Sequence, residues 1–107
     1  MSGVRWYLLG DDGEPVGPVD IETYSASGLM FSPDRGIARD ELDDGSVVST
    51  VFLGLDHQFF CDGPPLLFET LVFPADDSEG DMYRTSNRTA ALACHDQVVA
   101  ELKARVR

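Results

Sequence analysis

The run from Val47 to Phe73 constrains this chain most: SVVSTVFLGL, then the polar loop DHQFFCDGPP, then LLFETLVF. Val, Thr, Leu and Phe dominate both apolar segments, and the loop between them is rich in Asp, Gly and Pro. The pair reads as two antiparallel neighbours, Val47 to Leu55 and Leu66 to Phe73. With Leu55 set opposite Leu66, one face carries Val47, Val51, Leu53, Leu66, Phe68 and Val72. The other carries Val48, Phe52, Leu67, Leu71 and Phe73, with Glu69 among them. Both faces are apolar, so each needs a cover, and a face left open would be a place for a second copy or a partner to dock. Glu69, if covered, needs a donor; the alternatives are a catalytic carboxylate and a water-facing edge position.

On either side of this pair the same reading continues. IARDEL alternates from Ile37 to Leu42, and DDG makes a tight turn into Val47. Pro74 and the acidic run ADDSEGD end the strand at Phe73, and Met82 to Thr85 forms a short last strand. Thr85 or Ser86 then caps a helix whose apolar stripe is Leu92, His95, Val99, Leu102 and Val106, with Ala91 and Val98 beside it. Ahead of the sheet, VRWYLL and a return strand near Val16 make a hairpin around Gly10 to Gly13. Asp20 is a competent N-cap for a weak helix from Ile21 to about Leu29. The fold class is therefore α+β: a four-stranded antiparallel meander with an N-terminal hairpin and weak helix, and a C-terminal helix packed on the sheet. At 107 residues the whole chain, 1–107, reads as a single domain.

Nineteen acidic side chains face eight basic ones, a formal net charge of −11. Three of the bases, Lys103, Arg105 and Arg107, fall in the last five residues, so the body is more acidic still. Direct binding to nucleic acid is disfavoured, because it depends on neutralising phosphates with Lys and Arg. A protein partner with a basic surface is the natural complement; acidity that serves only solubility is the alternative. No secretory leader pattern opens the chain, and no apolar run reaches the length of a membrane span. Two cysteines are too few for a disulfide framework, so a cytoplasmic setting with reduced thiols is expected.

A meander puts alternate connections at opposite ends of the sheet. One end then gathers the turn at Asp43 and Asp44 with the loop holding Asp76, Asp77, Glu79 and Asp81. The other end carries Asp56, His57 and Phe59. These nine residues are the candidate binding positions. Six carboxylates also suit a calcium ion, but ADDSEGD lacks the alternating ligands and closing Glu of an EF-hand loop. His57, Cys61, Cys94 and His95 are ligand types for zinc without the Cys-x-x-Cys spacing of structural sites. His57 with Cys61 as base and nucleophile lacks an oxyanion hole and an orienting third group. No catalytic residue, metal site or cofactor is assigned.

The phrases GLDHQF and GPPLLFET, followed by YRTS and a helix containing ALACH, resemble a family of small uncharacterised acidic proteins of tailed bacteriophages and prophages. The resemblance covers Ser49 to Val99, with Phe60 and Cys61 standing where small residues are expected. It implies a phage accessory protein made in the bacterial cytoplasm and no known activity. The functional expectation is a non-enzymatic protein that binds a host or phage protein, as an acidic inhibitor or a mimic of nucleic-acid charge. A small virion or assembly component and a metal-dependent or carboxylate enzyme are the alternatives.

Overall fold

The structure, a computed structural model, describes residues 4–56 and 63–105. Strands β1 (Trp6–Leu9) and β2 (Pro15–Val19) form a hairpin, followed by helix α1 (Ile21–Ala26). Strands β3 (Gly36–Glu41), β4 (Val47–Phe52), β5 (Phe68–Phe73) and β6 (Met82–Thr85) form an antiparallel meander in that order, and helix α2 (Arg88–Arg105) packs on it. The α+β architecture matches the sequence expectation.

The register of β4 on β5 does not. Val47 pairs with Phe73, Val48 with Val72, Thr50 with Thr70 and Phe52 with Phe68, one residue away from the alignment of Leu55 with Leu66. A slip of one residue moves every side chain of one strand to the opposite face. Phe68 and Val72 therefore share a face with Val48 and Phe52, while Leu71 and Phe73 join Val47 and Val51. At Gly54 a φ of 80° turns the chain out of the strand after Leu53. The Leu53 amide still donates to the Leu67 carbonyl at 2.7 Å, so the true connection begins at Gly54.

On the buried face the residues stack in three cross-strand layers, each met by one residue of α2. Phe52 and Phe68 lie beside Ala91, in the cluster that also holds Tyr7, Tyr24, Leu29 and Leu67. Thr50 and Thr70 meet His95. Val48 and Val72 meet Val98, flanked by Cys94, Val99 and Leu102. Ala91, His95 and Val98 recur at helical spacing, which is why one helix covers the whole row. Burying each large side chain here stabilises the fold by roughly 1.5–3 kcal/mol. The cap of α2 is Asn87, not Thr85 or Ser86: its Oδ1 accepts the Ala90 amide at 2.8 Å. Val106 lies outside the described residues.

The hairpin closes the far end of the same face. The Tyr7 amide donates to the Gly54 carbonyl at 2.7 Å, and the Asp56 amide to the Arg5 carbonyl at 3.0 Å. Asp20 caps α1 as expected, accepting the Thr23 amide at 2.8 Å. The helix stops at Ala26, short of the expected Leu29, which starts a separate 3-10 turn after Gly28 at φ 71°. Tyr24 is buried, its ring tilted against Trp6 with centroids 4.6 Å apart, whereas Ile21 is exposed. The face of the meander turned away from α2 is half-buried at Val51, Leu71 and Glu69, which pairs with Arg84 at 3.2 Å, and open to water at Phe73 and Met82.

Candidate functional site

The two acidic connections meet at one end of the sheet. In the first, the Leu42 amide donates to the Ser46 carbonyl at 2.8 Å and Gly45 takes φ 92°. Asp44 Oδ1 accepts the Ser46 amide at 2.8 Å. In the second, Pro74 ends β5, the Asp77 amide donates to the Pro74 carbonyl, and Asp77 adopts φ 61°. Asp76 Oδ1 accepts the Ser78 amide at 3.0 Å. Gly80 lies directly against the Val72 carbonyl, where any side chain would collide with backbone. A Cβ on Gly45 would stand 3.5 Å from Ala75 Cβ, so the two connections are immediate neighbours.

These hydrogen bonds divide the six carboxylates by role. Ser46, through backbone and side chain, holds Asp44 below the usual carboxylate range, and Ser78 does the same for Asp76. Asp81 accepts a long bond of 3.4 Å from the Tyr83 hydroxyl. Desolvation first, and then the Asp81 charge, raise the Tyr83 phenol above its ordinary value. Asp43, Asp77 and Glu79 are exposed, and their carboxylates form no hydrogen bond or ion pair among the described residues. Lys103, near the end of α2, lines a hollow of about 240 Å³ with Glu41, Leu42 and Asp43. The basic end of the helix thus sits by the acidic end of the sheet, an arrangement that also suits the helix dipole.

At the opposite end, Asp56 is buried. Its Oδ2 lies 3.0 Å from Arg5 Nη2, and its Oδ1 accepts the Leu66 amide at 3.0 Å. This carboxylate ties the hairpin to both feet of the connection that leaves β4. His57 and Phe59, with Cys61, lie outside the described residues.

The polar layer under α2 is the group that the sequence did not disclose. Thr50 Oγ1 lies 2.7 Å from Thr70 Oγ1 and 2.8 Å from His95 Nδ1, and His95 Nε2 lies 2.7 Å from Asp40 Oδ2. A carboxylate only accepts, so Nε2 carries a proton; in the neutral imidazole Nδ1 then accepts from Thr50, whose oxygen accepts from Thr70. The order of carboxylate, imidazole and hydroxyl is that of a hydrolase triad. Thr50, however, is 0% exposed, and no substrate atom reaches its oxygen. The row fastens the helix to the sheet. Both nitrogens of His95 are thereby engaged, and among the described residues no cluster of His, Cys, Asp and Glu is arranged to hold a metal ion.

Beside the acidic loop lies a second feature missed by pattern alone. On the face turned away from α2, Leu71, Phe73 and Met82 line a hollow of about 440 Å³ together with Pro74 and residues 77–80. Phe73 is 53% and Met82 48% exposed. No family model matches the chain, and neither a curated protein nor a solved structure shows significant similarity to it. No helix among the described residues is long and apolar enough to cross a membrane.

Proposed function

We propose that this protein is a non-enzymatic binding module that presents the acidic end of its meander to a basic surface on another protein. Within the phage accessory role suggested by its GLDHQF and GPPLLFET phrases, that partner is a host or phage protein, and the acidic end acts as an inhibitor or a mimic of nucleic-acid charge. The observation that carries the reading is the convergence of Asp43, Asp77 and Glu79, exposed and unpaired among the described residues, on two neighbouring turns. Asp44 and Asp76 stiffen those turns, so the carboxylates are presented without a large ordering cost on binding.

Electrostatic complementarity of this kind acts most on encounter and specificity. Capture from a bacterial lysate tests it, with the wild type and an Asp76→Lys, Asp77→Lys, Glu79→Lys variant as paired baits. A protein retained by the wild type, released by moderate salt and lost with the variant is the expected result. A partner held equally by both baits would refute the proposal.

A further inference from the structure

The face of the meander turned away from α2 is apolar and open to water at Phe73 and Met82, where it reaches the acidic loop, and this juxtaposition defines a chemistry. Phe73 and Leu71 alternate out of β5 on the side away from α2, because Val72 and Thr70 point into the core. Met82 is paired directly with Leu71 across the strands. Gly80, pressed on the Val72 carbonyl, draws the 77–80 backbone across the strand end and gives the hollow its wall. Its rim is acidic: Asp77 and Glu79 line it and make no ion pair among the described residues. Two large apolar side chains half open to water, in a concavity of about 440 Å³ rimmed by carboxylates, form a seat for an apolar group flanked by cations.

We infer that this hollow is a docking site for an apolar side chain that a partner protein carries between Lys or Arg residues. The inference rests on the acidic-end reading and adds to it an anchor: carboxylates steer the basic flanks, and Phe73 and Met82 receive the apolar residue. A second copy of this chain is a poor occupant, since each copy brings a net charge of −11.

The test uses two synthetic peptides, Lys-Arg-Lys-Leu-Lys-Arg-Lys and Lys-Arg-Lys-Ser-Lys-Arg-Lys, titrated at low salt into the full chain and followed by amide chemical shifts. The leucine peptide binds about tenfold tighter than the serine peptide, the worth of a partly buried leucine, and shifts the amides of Leu71, Phe73, Gly80 and Met82. Phe73→Ser, and separately Met82→Ser, removes that preference while leaving the serine peptide's affinity unchanged; both positions are about half exposed, so the fold is retained. Phe31→Ser, at an 89% exposed aromatic far along the chain, changes neither peptide. Equal affinity for the two peptides, a preference that survives Phe73→Ser and Met82→Ser, or a dimer that blocks the leucine peptide would overturn the inference. If the peptides bind equally and the triple Lys variant releases both, the hollow fails and the acidic end keeps its role. If that variant releases neither, both readings fail.

Discussion

The hydroxyls of Thr50 and Thr70, directly opposite one another on β4 and β5, lie 2.7 Å apart and pass their hydrogen bond on to His95, 2.8 Å away. This places a polar layer between two apolar clusters and fixes the height at which α2 sits on the sheet. Its weak point is Thr50, whose hydroxyl meets two buried partners, Thr70 and His95. Thr50→Val leaves buried His95 Nδ1 and Thr70 without their partner, and an orphaned buried polar group costs about 1–3 kcal/mol. Asp40→Ala costs less, about 1 kcal/mol, because Asp40 is 53% exposed and water replaces it. Urea unfolding of the two variants checks the order.

Gly54 tolerates no side chain. Its φ of 80° disfavours any L-residue, and a Cβ would stand 2.7 Å from the buried ring of Tyr24. Gly54→Ala combines that backbone cost with overpacking, about 2–4 kcal/mol in all. Thermal unfolding should show a melting temperature lower by at least about 10 °C.

Acid should loosen the capped turns. Asp20, Asp44 and Asp76 have folded values below the ordinary 3.8, held down by hydrogen bonds from Thr23, Ser46 and Ser78. Their stabilisation is complete above the unfolded value and is lost as pH falls from about 3.8 through the lower folded values. Asp76→Asn removes one such group. Its difference in stability from the wild type should narrow as pH drops through that window, as measured by urea unfolding across a pH series.

Gly80→Ala separates the shape of the acidic loop from its charge. The added methyl collides with the Val72 carbonyl, so the 74–81 loop must shift although no carboxylate is lost. Binding to the captured partner should weaken while the net charge stays the same. Unchanged affinity would show that charge alone is read.

The sheet, its strand order and the final helix were legible because alternation and turn chemistry agree along residues 36–105. The β4–β5 register was not, since both strands are apolar on both faces and alternation gives no parity. Asp20 announced α1, but the role of Tyr24 depends on Trp6 and Gly54, which are distant in sequence. His95 in an apolar stripe, with a threonine in each of two apolar strands, was the available sign of the polar layer. Only the true register sets Thr50 opposite Thr70. The acidic end followed from topology, whereas the hollow beside it required Phe73 and Met82 to be placed on the same face, away from α2.

The most direct test of the account is the association rate of the captured partner measured against ionic strength, for the wild type and for the Asp76→Lys, Asp77→Lys, Glu79→Lys variant. Asp76 holds the Ser78 amide and Asp77 sits at φ 61°, so thermal unfolding of both proteins comes first, and the rates are compared at a temperature where both are folded. The account predicts a wild-type rate that falls steeply with salt and a variant rate that is slower at low salt and nearly flat. The same salt slope in both proteins would contradict it.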